Sequence, residues 1–334
     1  KAQTPSVLPA LQIQGQVANR LDLAEWITSP QNPLTSRVIA NRHWQHFFGQ
    51  GIVTSEDDFG TQGTKPSHPA LLDWLANRFS SQGWSFKELC RSIVLSATYR
   101  QSSQSRPDVT ERDPYNTWLA RQNRLRVEAE IIRDMALRAS GLLYLKLGGE
   151  SVRPPQPADI ASLGFQGSVK WPTSKGRQQH RRGLYTFFQR TVPYPMLLTF
   201  DAADSNLSCT RRDRSNTSLQ ALTLWNDPVF FEAAQFLAGR MARFTESHGP
   251  ATVKDRIRFG FQLCLTRKPL EPELDLLNQL YLDQLQQFKH DHKTAQTIVG
   301  NHLSTENPLE TSRMAAFIAV ARTLFNTDEF ITRD

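Results

Sequence analysis

The segment FFEAAQFLAGRMARF, residues 230–244, has the apolar spacing that decides the fold class of this chain. Its apolar side chains recur three and four positions apart, which places them on one face of an α-helix; they are Phe230, Ala233, Ala234, Leu237, Met241 and Phe244. Similar patterns predict helices near residues 21–28, 33–48, 68–82, 85–99, 126–139, 219–225, 253–265, 273–288 and 309–324. Only 183–189 alternates enough to predict a short strand. We therefore expect a mainly α fold: an irregular multi-helix domain with long loops and at most a short strand pair.

Capping residues mark several predicted helix ends. Asn32 and Ser67 are predicted N-caps, because their side chains can accept hydrogen bonds from the first N–H groups of a helix. Pro33 suits the first helical position. Gly49 and Gly141 are predicted to end helices, because glycine readily adopts the left-handed conformation found there.

The composition indicates a globular chain with an excess of positive charge. Of the 334 residues, 39% are hydrophobic and 21% are charged, and the formal net charge is +7. No apolar run approaches the ~20 residues that cross a bilayer. Many of the basic residues lie between Lys170 and Arg214, but no helix-turn-helix or zinc-finger pattern accompanies them. An acidic partner or a solvated face is therefore favoured over nucleic acid.

The organisation along the chain is read from its loops. Residues 1–19 are polar and begin without Met or an apolar signal core, so we expect a linker at the start of a fragment or a processed product. Residues 20–334 are predicted to form a single domain. The alternative is two helical halves, 20–145 and 183–334, joined by the irregular region 146–182, which is rich in glycine and proline.

Cysteine and histidine spacing gives no metal or haem motif. The three cysteines, Cys90, Cys209 and Cys264, form no CxxC or CxxCH pattern. His43 and His46 share a helix face, and together with His68 they could form a metal site. No HExxH pattern supports this. We predict no metal site and no cofactor in this chain.

Two polar loops contain the candidate catalytic residues, apart from Arg42 in the predicted helix at 33–48. The first loop clusters carboxylates beside glycines, and in the second a cysteine precedes three arginines, which would lower the pKa of its thiol. The candidates are Arg42, Asp57, Asp58, His68, Asp201, Asp204, Cys209 and Arg214. The competing interpretation is structural: carboxylates that cap helices or pair with arginines, and a thiol that packs in a loop.

The segment from Arg126 to Asp134 alternates acidic and basic residues along a predicted helix. Pairing along the helix surface explains most of this pattern. A buried ion network that holds the loops is the alternative.

A series of short motifs, in order along the chain, resembles a known family from about Asn19 onwards. They include Asn32-Pro33-Leu34, Asn41-Arg42, Asp57-Asp58-Phe59-Gly60, Pro66-Ser67-His68-Pro69, Ser96-Ala97-Thr98-Tyr99-Arg100, Glu128-Ala129-Glu130, Arg181-Arg182, Phe200-Asp201, Ser208-Cys209 and Asn326-Thr327-Asp328-Glu329-Phe330. The chain resembles the PSD-type C-terminal domain of unknown function found in large exported planctomycete proteins that often have a c-type cytochrome domain upstream. His43 and Ala203 depart from the expected pattern.

The resemblance implies export to the periplasm or cell surface and a multidomain parent, without an established activity. A c-type haem would belong to another domain of that parent, since this chain has no CxxCH. Our leading hypothesis is a non-catalytic interaction or scaffold module that docks on other domains of the parent or on an acidic extracellular glycan. One alternative is an enzyme, a hydrolase or redox-coupled enzyme that acts on extracellular polymers with a site from loops 57–68 and 201–217. Another is a support domain for the haem module.

Overall fold

The computed structural model describes residues 3–157, 160, 170–203, 206, 208–245, 250–300, 303 and 306–333. The chain divides into two compact units: unit 1 is Lys1–Leu125 together with Asp334, and unit 2 is Arg126–Arg333. The mainly α prediction is confirmed, with one two-stranded sheet between β1 (Leu125–Arg126) and β2 (Thr332–Arg333). Within the described ranges, no helix is both long and apolar enough to cross a membrane.

Unit 1 contains five helices in its described part: α1 (Arg20–Thr28), α2 (Thr35–Phe48), α3 (Pro69–Ser81), α4 (Phe86–Val94) and α5 (Pro107–Thr110). The Asn19 side chain caps α1, and Gly49 ends α2 in the left-handed conformation, as its φ of 81° shows. The prediction that Ser67 caps the third helix is wrong. That helix begins one residue later, with His68 at the N-cap and Pro69 in its first turn, and Ser67 instead donates its N–H to the Ile52 carbonyl at 2.9 Å.

The core of unit 1 is aromatic. Trp44 and Phe48 stack on each other with ring centroids 4.1 Å apart, and Tyr99 meets the edge of Phe48 at 5.9 Å. Phe79 of α3 packs on Trp84 in a T-shaped arrangement at 5.2 Å. Large rings bury much apolar area for each residue, so a few of them suffice for a small unit.

Unit 2 contains nine helices in its described part: α6 (Ala129–Ser140), α7 (Pro195–Thr199), α8 (Ser218–Asn226), α9 (Pro228–Arg243), α10 (Val253–Leu265), α11 (Glu271–His290), α12 (His292–Val299), α13 (Pro308–Phe325) and α14 (Asp328–Ile331). Helix α9 packs against α6 and α13. Alanines such as Ala136, Ala233 and Ala316 lie fully buried between these helices. Small side chains allow helix axes to approach closely, so this core is built mainly by helix-to-helix packing.

The strand predicted at 183–189 is wrong. Residues Gly183–Tyr185 form a 3-10 turn, and only an isolated bridge between Val152 and Thr186 follows it. The reason lies in a close crossing: a β-carbon on Gly183 would stand 2.8 Å from the Glu130 Cα. The backbone here packs onto α6 rather than into a sheet.

The predicted junction at 146–182 lies inside unit 2, and its residues 158, 159 and 161–169 lie outside the described residues. Helix α6, which the two-halves alternative placed before that junction, packs on α9 of the same unit. The assignment of 20–334 to one domain stays a prediction.

Candidate functional site

A buried arginine organises the loop that follows α6. The side chain of Arg181 is almost fully enclosed, and its guanidinium donates hydrogen bonds to the carbonyls of Lys146, Gly148 and Glu150 at 2.9, 2.6 and 2.9 Å. It also lies over the ring of Tyr185, 3.6 Å from the centroid. One cation therefore holds a five-residue loop through backbone oxygens.

Other hydrogen bonds tie the neighbouring segments to this loop. The Gly148 N–H donates to the Tyr185 hydroxyl at 2.8 Å, and the Val152 N–H donates to the Tyr185 carbonyl at 2.8 Å. Arg153 and Ser174 bond reciprocally, since each N–H donates to the other residue, at 3.0 and 2.8 Å. The segments around 146–153 and 174–187 are thus held in one fixed arrangement.

Between these segments lies an open cavity of about 570 Å³, which we call the basic groove. Its lining residues are Lys146, Gly149, Glu150, Ser151, Val152, Ser174, Lys175, Gln178 and Arg181. The Lys146 and Lys175 side chains are exposed and have no hydrogen-bond or ion-pair partner among the described residues. Glu150 is the one carboxylate in the lining, so the balance of charge in the groove is positive.

A second buried arginine supports the groove from α6. Arg133 is 1% exposed and donates to the carbonyls of Arg181 and Gln179 at 2.5 and 2.6 Å. Burial lowers the pKa of its guanidinium. Tyr194, Asp134 and Asp227 act in the opposite direction and raise it. Burial in turn raises the pKa of the Asp227 carboxyl to about 6, despite a backbone hydrogen bond from Val229 and the charge of Arg133.

The acidic side chains of α6 bind arginines from distant loops. Glu130 accepts from Arg212 with both oxygens, at 3.1 and 2.9 Å. Asp134 accepts from Arg182 at 3.1 Å and from the Gly183 N–H at 2.6 Å. The expectation of pairing along the helix surface is therefore wrong for these residues. The alternative, an ion network that holds the loops, is what the structure contains.

A smaller pocket of about 270 Å³ lies beside this network, and we call it the thiol pocket. Its lining residues are Asp201, Ala202, Ala203, Cys209, Arg211, Arg212 and Asp213. Cys209 is exposed. Asp201 has a φ of 59°, an uncommon conformation for a residue other than glycine.

Asp201 is held by several donors. The Arg126 guanidinium, the Ser215 N–H and the Ser215 hydroxyl all donate to its carboxylate. Burial alone would raise the pKa of this carboxyl, but the Ser215 hydrogen bonds and Arg126 together hold it below its usual value. Asp201 therefore stays ionised and ties the 200–215 loop to the start of α6.

Of the four predicted site residues in the second loop, two share one pocket. Asp201 and Cys209 both line the thiol pocket. Arg214 lies close to the charges of Glu128, Arg126 and Arg333, and Asp204 lies outside the described residues.

The four predicted site residues of unit 1 are not gathered in one described pocket. Asp58 accepts from the Gly60 N–H at 2.6 Å, Asp57 is exposed on the same loop, and His68 contacts the Ser67 hydroxyl at 3.0 Å. Arg42 lies on α2 and lines a cavity to which Asp57, Asp58 and His68 do not contribute. Since these residues and the Cys209 loop belong to different units, a single site from both loops stays a prediction.

Of the three histidines, His43 packs against an aromatic ring. His43 lies against the Phe86 ring at 4.9 Å, and its Nδ1 is 3.8 Å from the Cys90 sulfur. Burial lowers the pKa of this imidazole, and the nearby His46 lowers it further. In the described parts of the chain, no three His, Cys, Asp or Glu side chains are grouped to hold a metal ion.

Sequence reasoning did not identify the basic groove. Lys146 and Lys175 are separated by 29 residues and resemble ordinary surface lysines in the sequence. The one sequence feature that could have indicated the groove is the pair Gly148-Gly149, which lies in an irregular region before the Arg181-Arg182 motif. A buried arginine with backbone partners has no local pattern of its own.

Comparison with known proteins gives one result. No curated protein matches the chain, and no solved structure does. A family model matches residues 19–281, which is most of the chain. The chain therefore belongs to the PSD1 family, described as "Protein of unknown function (DUF1553)".

Proposed function

We propose that this protein is a non-catalytic interaction module whose basic groove binds an acidic glycan. The observation that carries the proposal is that Arg181 is buried among neutral partners. This buried cation bonds neutral carbonyls and has no carboxylate partner among the described residues. A buried charge without a counter-charge is costly, and an anion in the adjoining groove would offset that cost.

The rim of the groove adds recognition groups of the appropriate kind. Lys146 and Lys175 supply two cations that have no partner in the described part of unit 2, and Ser151 and Gln178 supply neutral donors and acceptors. Sugar hydroxyls pair with such neutral groups, while carboxylates pair with the lysines. The volume of about 570 Å³ lies in the range typical of ligand sites.

Binding of polygalacturonate tests the proposal. We expect saturable binding by isothermal titration calorimetry at low ionic strength, and weaker binding as salt screens the exposed charges. The double variant Lys146→Gln/Lys175→Gln should bind about tenfold more weakly, since each charge-assisted contact is worth roughly 1 kcal/mol or less at an exposed site.

The matched control is Lys268→Gln/Lys289→Gln, which removes the same charge from exposed positions of unit 2 away from the groove. It should bind like the parent chain. Equal losses in both double variants would indicate attraction by net charge alone and would contradict a site in the groove. Binding of poly-glutamate but not of polygalacturonate would replace the glycan with an acidic protein partner.

A second candidate, an enzyme that acts on extracellular polymers, is favoured by one observation. The exposed Cys209 thiol shares a pocket with the guanidinium-bearing residues Arg211 and Arg212. An exposed thiol in a pocket is a candidate nucleophile. Release of methanol from a methyl-esterified polyuronate, lost in Cys209→Ser, would support a hydrolase. Equal release by both chains would exclude Cys209 as its nucleophile.

We extend the proposal to the setting that the family resemblance implies. The module would act after export, in the periplasm or at the cell surface, beside a c-type haem domain of the same parent protein. Fractionation of source cells should recover the parent outside the cytoplasm. If, instead, the chain changed the reduction potential of the haem domain on mixing, a haem-support role would be favoured over glycan binding.

A further inference from the structure

One face of α2 is only partly used by the core of unit 1, because Ile39 is its one residue that packs against the core cluster. Ala40, Trp44 and Phe48 of this helix are buried in the aromatic cluster. A neighbouring face carries Thr35, Val38, Ile39 and Arg42, which follow the spacing i, i+3, i+4, i+7 and therefore form one continuous stripe. The stripe is apolar in the middle and has a cation at its C-terminal end.

This stripe forms one wall of a cavity of about 350 Å³, which we call the α2 pocket. The other lining residues are Leu8, Trp26, Asn32 and Leu34. The Trp26 indole N–H donates to the Pro9 carbonyl at 2.6 Å, which holds the segment containing Leu8 beside α1. The walls are therefore preorganised by hydrogen bonds within unit 1.

The polar groups of the α2 pocket differ in whether they have partners. Asn32 is buried and satisfied, since its side chain accepts from the Leu34 N–H at 3.0 Å and contacts the Trp26 carbonyl at 3.4 Å. Arg42 is exposed and has no hydrogen-bond or ion-pair partner among the described residues. Arg37 of the same helix contrasts with it, because that guanidinium pairs with Asp73 at 2.7 Å.

We propose that the α2 pocket binds an aliphatic carboxylic acid. The apolar body would contact Trp26, Leu8 and Val38, and the carboxylate would pair with Arg42. Binding sites for small molecules combine a mostly apolar lining with a few polar groups that set orientation, and a guanidinium matches a carboxylate with two parallel hydrogen bonds. The volume has room for roughly a dozen atoms the size of a water molecule, which suits a medium-length chain.

The test compares octanoate with octan-1-ol, which have the same chain length and differ in charge. Titration calorimetry should show saturable binding of octanoate and at least tenfold weaker binding of the alcohol. Arg42→Gln should weaken octanoate about tenfold and leave the alcohol unchanged. Val38→Phe should weaken binding of both, because the larger side chain occupies part of the pocket; circular dichroism checks that each variant is folded.

Arg100→Gln is the matched control, since Arg100 is also an exposed arginine of unit 1 without a partner among the described residues. It should bind octanoate like the parent chain. The proposal is overturned if the folded parent binds no octanoate, or if either Arg42→Gln or Val38→Phe binds it with unchanged affinity. Binding of a peptide that ends in a leucine carboxylate, without binding of octanoate, would also overturn it.

Discussion

The two units hold their loops by different chemistry. In unit 1, the loop at 53–64 is held largely by neutral side chains: Asn41 accepts from the Val53 N–H at 2.8 Å and donates to the Val53 carbonyl at 2.9 Å, and Thr64 accepts from the N–H groups of Thr54 and Ser55. In unit 2, guanidinium groups do it, with Arg133 and Arg181 bonded to backbone carbonyls.

The difference has an energetic consequence. A neutral side chain costs little to bury once its hydrogen bonds are made, whereas a buried cation depends on every one of its partners. Unit 2 should therefore be more sensitive to single substitutions in its loop-holding residues. Among the described residues, no carboxylate pairs with Arg181, and the proposed glycan site depends on that positive charge.

Loss of Arg133 is expected to have the largest effect on stability. Arg133→Met should lower the free energy of unfolding by about 3 kcal/mol, because the carbonyls of Arg181 and Gln179 lose their donors and the groove loses its support. Urea denaturation measures this. The control is Arg138→Met on the exposed side of α6, where a change of about 0.5 kcal/mol or less is expected. Similar losses of unfolding free energy in both variants would contradict a special role for the buried guanidinium.

The stability of unit 2 should also depend on pH through a buried carboxyl group. The pKa of Asp227 is about 6 in the folded chain, whereas the ordinary value of an aspartate, which applies to the unfolded chain, is 3.8. Between these values the folded chain retains a proton that the unfolded chain has released, so stability should fall as pH rises from about 4 to about 6. The loss should be roughly 2–3 kcal/mol, at about 1.4 kcal/mol for each pH unit.

Asp227→Asn isolates that contribution. Asparagine can still accept the hydrogen bond that Asp227 takes from the Val229 N–H at 2.9 Å, so the cap of α9 is kept. The fall in stability between pH 4 and pH 6 should become smaller in this variant, as followed by urea denaturation at several pH values. An unchanged pH profile would assign the fall to other groups.

The smallest expected effect is in unit 1. Asn41→Ala should cost about 2 kcal/mol, because it leaves the Val53 N–H and carbonyl without their buried partner, at roughly 1 kcal/mol for each hydrogen bond. Asn77→Ala, at an exposed position of α3, is the control. A cost for Asn41→Ala above that of Arg133→Met would reverse the comparison between the units.

The helices were predictable from the sequence because their signals are local. The apolar spacing at 253–265 gave the bounds of α10, and Gly49 and Gly141 marked the ends of α2 and α6. The strand predicted at 183–189 failed because Gly183 is positioned by Glu130 and Asp134, about 50 residues earlier in the chain. No window of sequence contains both partners.

The candidate site was predictable only in part for the same reason. Asp201 and Cys209 are close in sequence, and they share the thiol pocket. The basic groove depends on Arg181 meeting carbonyls 31 to 35 residues before it, and carbonyls are common to every residue. Sequence patterns show which side chains are charged, but they do not show which backbone oxygens will surround them.

The enclosure of Arg181 also has a consequence for the order of folding. The loop at 146–150 takes its shape from a side chain that arrives more than 30 residues later, so this loop cannot become ordered until that chain closure has occurred. The Gly148 amide, which bonds the Tyr185 hydroxyl, should therefore acquire protection from solvent exchange late in refolding, after the amides within α6. During that interval the protein would possess its helices but not yet the basic groove.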